Sequence, residues 1–409
     1  MAIINWTGNA AAVAQIDTLT ISGTDPSSGD TFTVTINGKA VSITGQTTTA
    51  GAATALQAAL AASTFPEFAE ITWANPSSGT VTGTSKTAGR PFTITSFATS
   101  GSSTVGTSTT TAGSGPNDLS IPANYDGGAL PVNGDTLVVQ GNVPDILYGL
   151  DALSGVTLAY LRIVNWTGQF GLPRINSTGR TPYAEYRPTY AAFGATLCDV
   201  GTPGGGQGPS LFKWNSGSVQ TTLTVYSSGT GVEGTGFGAV IFKGTHTSNV
   251  VDVRSGSASI APFGGETASV ATLQTSGGTV SCGAGVTLTT VRARGGTGSI
   301  GVASAVTTLL VEGGTANVEG SGAVTNLTAN AGTVNYQGSG TITTLYTKGK
   351  VNFGQLLNRT VTNCTIAAGG SISDPGGRTT FTNGIVFETG VRVADVTLDV
   401  GTGRTLSIS

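Results

Sequence analysis

The stretch SAVTTLLVEGGTANVEGSGAVTNLTANAGTVNYQGSG, residues 304–340, says one phrase twice. Val-Thr-Thr-Leu at 306–309 returns as Val-Thr-Asn-Leu at 324–327, and Gly-Gly-Thr at 313–315 returns as Ala-Gly-Thr at 331–333. The step is 18 residues, and it continues in both directions. Leu273, Val291, Leu309, Leu327 and Leu345 stand on it, as do Val270, Leu288, Val306, Val324 and Ile342 three positions earlier. Gly277, Gly295, Gly313 and Gly349 follow, with Ala331 in the remaining place, and then Thr279, Thr297, Thr315 and Thr333. A weaker apolar pair recurs as Val280/Cys282, Ala316/Val318 and Val334/Tyr336, and a looser copy sits one residue late at Val361, Cys364 and Ile366.

A fixed period over five copies marks a repeat architecture, and Val, Leu, Thr and Gly make its unit one of strands and corners. Hairpin arrays need paired turn signals, which this region lacks. The reading is therefore a right-handed β-solenoid with about 18 residues per coil, each coil hydrogen-bonded to the next at about 4.8 Å. Apolar residues stack inward as columns and threonines form ladders outside. Ser276, Arg294, Glu312, Asn330 and Lys348 share one column. Stacking puts Arg294 beside Glu312 and sets no like charges together, the pattern of a solvated face; a carbohydrate-binding stripe is the functional alternative.

Composition agrees. The chain of 409 residues holds 63 Gly and 10% charged residues, against roughly 7% and 25% in ordinary domains. A net charge of −3 without a basic cluster gives no footprint for nucleic acid. Cys198, Cys282 and Cys364 are odd in number and read as small buried hydrophobes. The first residues, MAIINWTGNA, carry neither a basic segment nor an apolar core, so no secretory signal is expected, and no apolar run is long enough for a membrane helix. Synthesis in a cytoplasm without export by the general route follows as the expectation, and it makes the sequons at Asn5, Asn165 and Asn176 chance matches.

Along the chain, residues 1–15 read as an N-terminal arm with Trp6 as an anchor. Residues 16–113 read as a small α+β module. TFTVTINGKAVSI turns at Asn37-Gly38, with Phe32, Val34 and Ile36 on one face and Val41 and Ile43 returning. AGAATALQAALAAS (50–63) has helical spacing, and the segment from Ala69 to Ser96 holds three more strands. Residues 114–129 read as a linker, although the Ser/Thr-rich stretch before it can pair as an edge strand. Residues 130–262 read as irregular early coils and 263–409 as regular coils with a C-terminal cap.

The succession TFTVTING, an Ala-rich helix, then GTVTGTSKTAG and PFTIT resembles a small α+β module of tailed-phage virion proteins, over about a quarter of the chain. YGLDALSGVTLAYLRI and APFGGETASVATL are similar to segments of phage proteins bearing β-solenoids. The resemblance implies a virion surface role and brings no catalytic motif.

Residues 166–190 stand apart, with Trp166, Phe170, Tyr183, Tyr186 and Tyr190 beside Arg174, Arg180 and Arg187. Three uses fit: a cap over the open end of the solenoid, a protein interface, or a glycan site. Together with Trp6, the residues Trp166, Phe170, Tyr183, Tyr186, Arg187 and Tyr190 are the candidate interface.

Enzyme chemistry finds little footing. His246 is the single histidine and sits in a turn-like KGTHTSN, and GTPGGGQG (201–208) lacks the Lys-Ser/Thr ending of a phosphate loop. Glycan hydrolysis needs two carboxylates about 5–10 Å apart; Glu312/Glu319 and Asp395/Asp399 are the pairs on offer, without aromatic platforms. No cofactor or metal motif is present. The expected function is structural: a capsid decoration protein on the outside of a virion, a homotrimer bound to the major capsid protein, touching neither nucleic acid nor membrane. A tail fibre or tailspike that binds a host glycan is the alternative.

Overall fold

In the computed structural model, residues 2–24, 26–98, 103–175, 183–234, 236–300 and 305–401 are described; side chains at 97, 98, 299 and 300 are not. The 18-residue phrase becomes one coil of a parallel β-solenoid. Among the described residues, one face is a 14-stranded sheet running from Ile3–Asn5 through Thr136–Gln140 to Thr379–Phe381, and the other is a 12-stranded sheet from Gln169–Phe170 to Thr397–Asp399. About 11 turns are stacked, which at about 4.8 Å each makes a rod of roughly 50 Å.

The internal row is continuous. Leu137, Leu161, Cys198, Leu223, Val251, Leu273, Val291, Leu309, Leu327, Leu345, Cys364 and Ile385 are successive register partners, and every one is buried. Burying one such side chain contributes about 1.5–3 kcal/mol. The step along the row is 24 residues from Leu137 to Leu161, then 37, 25, 28 and 22 to Leu273. It is 18 at each of the next four steps, and 19 and 21 at the last two. The period of 18 holds for the regular coils, whereas the whole solenoid averages about 21.

Register also explains the glycines. The strict position is the second of each corner pair, not the first. Gly296, Gly314 and Gly332 have φ of +67°, +67° and +73°. A Cβ on them would lie 1.9, 2.5 and 2.5 Å from the carbonyl oxygen of the glycine one coil below. A column of corners this close excludes any side chain. The first position tolerates Ala331.

The predicted threonine ladder is present as Thr279–Thr297–Thr315–Thr333 in register. Beside it runs an amide ladder: Asn335 donates to Asn317 at 2.8 Å and Asn352 to Asn335 at 2.9 Å. The predicted Arg294–Glu312 contact forms at 3.3 Å, joined by Arg292, whose guanidinium grips both carboxylate oxygens at 2.7 and 2.8 Å. Cys198, Cys282 and Cys364 are buried free thiols.

The module takes the predicted hairpin–helix–strand order. Strands Phe32–Ile36 and Lys39–Ile43 pair with Ile36 opposite Lys39. This leaves Asn37 (φ +49°) and Gly38 (φ +78°) as a two-residue turn whose twist suits a hairpin. Helix α1, Thr49–Ala61, is capped by Thr48, whose side chain accepts from the Gly51 amide at 3.0 Å. It packs Ala52, Ala53, Leu56 and Leu60 into a core separate from that of the solenoid. Thr104–Thr111 forms an edge strand on Ile16–Ser22.

Two boundaries differ from the sequence reading. The arm is not free: Ile3–Asn5 runs parallel to Thr136–Val138 as the first strand of the solenoid. Its partner lies 133 residues away, so no local period announces it. Nor is 114–129 a solvated linker. Leu119, Asn124 and Tyr125 are buried. The Asn124 amide donates to the carbonyls of Gly115 and Asp118 at 2.8 Å, and its oxygen accepts from the Ala10 amide at 2.8 Å. The module is thus an insertion between the first and second strands of the solenoid, and the returning chain covers the end of the stack.

Candidate functional site

The aromatic residues expected at an external interface face inward. Trp6, Trp166, Phe170, Tyr183 and Tyr186 belong to the solenoid core, and none is more than 9% exposed. Trp6 packs edge-on against Tyr125 with centroids 5.4 Å apart and donates to the Pro144 carbonyl at 3.1 Å. Trp166 donates to the Val143 carbonyl at 2.9 Å. Phe170 lies against Phe193 and Phe212. These rings fill the wide early coils and are buried within this chain, and Tyr186 also lines the cleft described below. Arg180 lies outside the described residues.

Tyr190 joins a different group. Lys213 and Glu233 form an ion pair of 2.8 Å, with side chains 1% and 2% exposed. The Arg174 amide donates to the second Glu233 oxygen at 2.9 Å. Lys213 lies 4.9 Å and Lys243 4.1 Å from the Tyr190 ring centre, and the Tyr190 hydroxyl donates to Glu266 at 3.0 Å. Burial pulls the Lys213 ammonium below its ordinary value and Glu233 opposes that pull. This cluster ties the loop around Glu233 to the coils and is structural.

Arg187 leads to the one concave site of interest. The short helix α2, Pro66–Ala69, opens on a proline and buries Phe68, so that Glu67 and Glu70, three residues apart, project from neighbouring positions. Glu70 receives Arg90 of the module at 3.0 Å and Arg187 of the solenoid on its other oxygen. Arg187 also donates to the Pro91 carbonyl at 2.9 Å, and Arg90 to the Tyr148 hydroxyl at 3.1 Å. Both guanidinium groups lie over the Tyr148 ring, at 5.9 and 5.2 Å. One carboxylate thereby clamps the module to the solenoid.

Beside the clamp is a cleft of about 510 Å³ between the two parts. Module residues Ile36, Asn37 and Phe92 form one wall; Leu147, Leu150 and Leu172 of the solenoid form another. Glu67, Glu70, Asp118 and Asp151 also line it, against Arg187. Asp118 is engaged by the Ser120 amide and hydroxyl at 2.8 and 2.6 Å. Glu67 is 3% exposed, yet neither of its carboxylate oxygens has a hydrogen-bond partner among the described residues. Desolvation holds its carboxyl above the usual range, opposed first by its own nearby backbone N–H, which falls short of hydrogen-bond geometry, and then by Lys39 at longer range.

Three of the four carboxylates singled out for hydrolysis have partners of their own. Glu312 is bound by Arg292 and Arg294, which hold it below its ordinary value. Asp395 caps its own turn by accepting from the Arg392 amide at 2.8 Å, and Asp399 accepts from the Gly401 amide at 3.3 Å. His246 accepts from the Ser248 amide at 3.1 Å within its turn. Among the described residues, no group of three His, Cys, Asp or Glu side chains could hold a metal ion, and no helix is long and apolar enough to cross a membrane.

Burial of the aromatics was not legible because solenoid fillers and interface anchors use the same residue types. Glu67 was missed because its distinction is a lack of partners, which depends on tertiary structure. Compared with family models, curated proteins and solved structures, the chain matches none.

Proposed function

We propose that the protein is a structural component of a bacteriophage particle: a decoration protein on the capsid exterior, assembled in the host cytoplasm as a homotrimer and bound to the major capsid protein. The observation that carries this reading is the stack of in-register coils, whose outer columns include Thr, Ser and Asn ladders and few charges. Such a rod is stiff, low in charge and chemically plain. It suits projection from a shell better than turnover of a substrate. The module, with its resemblance to virion modules, is the natural point of attachment. Many weak contacts repeated over a shell then stabilise the whole by mass action.

Counting copies tests it. Quantitative mass spectrometry of purified particles should find this chain at a fixed, high ratio to the major capsid protein, on the order set by the shell lattice. A handful of copies per particle would instead identify a tail fibre or spike, and absence from particles would end the proposal.

A further inference from the structure

We infer that the cleft between module and solenoid is a recognition site for a basic side chain, lysine or arginine, carried by an extended segment of a partner protein, with Glu67 as its counter-ion. Four carboxylates line the cleft against the single guanidinium of Arg187. Glu70 is consumed by Arg90 and Arg187, and Asp118 by Ser120. Two acids remain. Asp151 is exposed and has no side-chain hydrogen bond among the described residues. Glu67 is sealed in the wall with both oxygens unmet.

A buried polar group without a partner costs about 1–3 kcal/mol. A ligand that supplies donors recovers that cost, and a cationic donor recovers more. The rest of the wall says what the cation must be attached to. Ile36, Phe92, Leu147, Leu150 and Leu172 give the lining an apolar part beside its acids, which suits the methylene stem and charged head of a lysine or arginine. The volume, about 510 Å³, lies within the usual range of small-ligand sites and admits a side chain with its flanking backbone. Lys39, the chain's own cation on this side, is directed over the Phe65 ring at 5.8 Å and forms no ion pair with Glu67. Glu185 and Glu70 add negative potential. If the attachment proposed above is right, this cleft is where the shell protein's chain is held. The chemistry of the cleft itself is tested on the purified protein, apart from any particle.

The experiment is calorimetric titration of the full chain with N-acetyl-lysine methylamide, N-acetyl-arginine methylamide and the uncharged isostere N-acetyl-norleucine methylamide. The two cationic probes are expected to bind about tenfold or more tightly than norleucine. Glu67→Gln should reduce them to the norleucine level, and Asp151→Asn should weaken them less. A second signature guards against a variant that folds poorly. Desolvation favours the protonated form of Glu67 and a bound cation favours its carboxylate, so binding to the parent protein at mildly acidic pH should be accompanied by proton release, read from titrations in buffers of different ionisation enthalpy. Equal binding of norleucine, no binding of either cation, binding without proton release, or unchanged affinity in Glu67→Gln would each overturn the assignment.

Discussion

The early coils, up to Val253, and the regular coils, from Ala268 to Phe353, solve one problem in two ways. In the regular coils, sequence repetition does the work. Equal lengths keep the register, aliphatic side chains fill most of the interior, with Tyr336 and Phe353 as aromatic fillers only in its last coils, and Thr and Asn ladders finish the outside. In the early coils, steps of 22–37 residues throw out loops. There the interior is filled by Trp166, Phe170, Phe212, Trp214 and Phe242, and the loops are pinned by buried charges such as Lys213–Glu233. Repetition is cheap in specificity because each coil templates the next. Irregular coils need individual anchors, and aromatic rings and desolvated ion pairs are the side chains that supply them.

The contrast can be broken at its strongest point first. Leu309→Asp puts a charge in the middle of the internal row and should cost about 3–5 kcal/mol, measured by denaturant unfolding. A variant that unfolds like the parent would separate stacking from stability. Next comes the early-coil anchor. Lys213→Met alone strands a buried carboxylate and should cost about 3 kcal/mol, whereas Lys213→Met with Glu233→Leu should recover most of it. If the double variant is as weak as the single, the pair is more than a loop anchor. Asn335→Ala removes both bonds of the amide ladder, to Asn317 and from Asn352, and should cost about 1–2 kcal/mol, with no change in the early coils by hydrogen exchange. Smallest and most pH-dependent is Glu67→Gln. A carboxyl raised above its usual 4.5 by burial binds a proton in the folded state that the unfolded chain has released. Its contribution is fully present below that ordinary value and is lost as pH rises through the raised one. Thermal unfolding of the parent relative to Glu67→Gln should therefore weaken with rising pH across that window. A constant difference between the two would show that Glu67 does not titrate there.

What the chain disclosed in advance follows the same contrast. Leu273 to Leu345 announce their stacking because identical neighbours stand 18 residues apart, and Asn37-Gly38 announces its turn because φ > 0 is needed within two residues. Both are local signals. Trp166 and Tyr186 carry no such signal: a ring that plugs a wide coil and a ring that meets a partner look alike until the fold decides. Arg187 was legible as unusual, but its partner Glu70 sits 117 residues earlier in another element. Gly296, Gly314 and Gly332 lay beside the position first noticed, and only the backbone conformation shows which glycine of each pair is indispensable.

The first strand, Ile3–Asn5, has a further meaning. Because it docks on Thr136–Val138, both ends of the inserted module are fastened to the same rod. During synthesis Ile3–Asn5 must wait for more than a hundred later residues before Thr136–Val138 is available, a long-range loop closure. Once closed, a pull on the module is shared between two chain crossings and resisted by strands loaded in shear. The mature molecule is a handle stapled to a shaft at two points, and removal of residues 2–6 should leave it hanging by one.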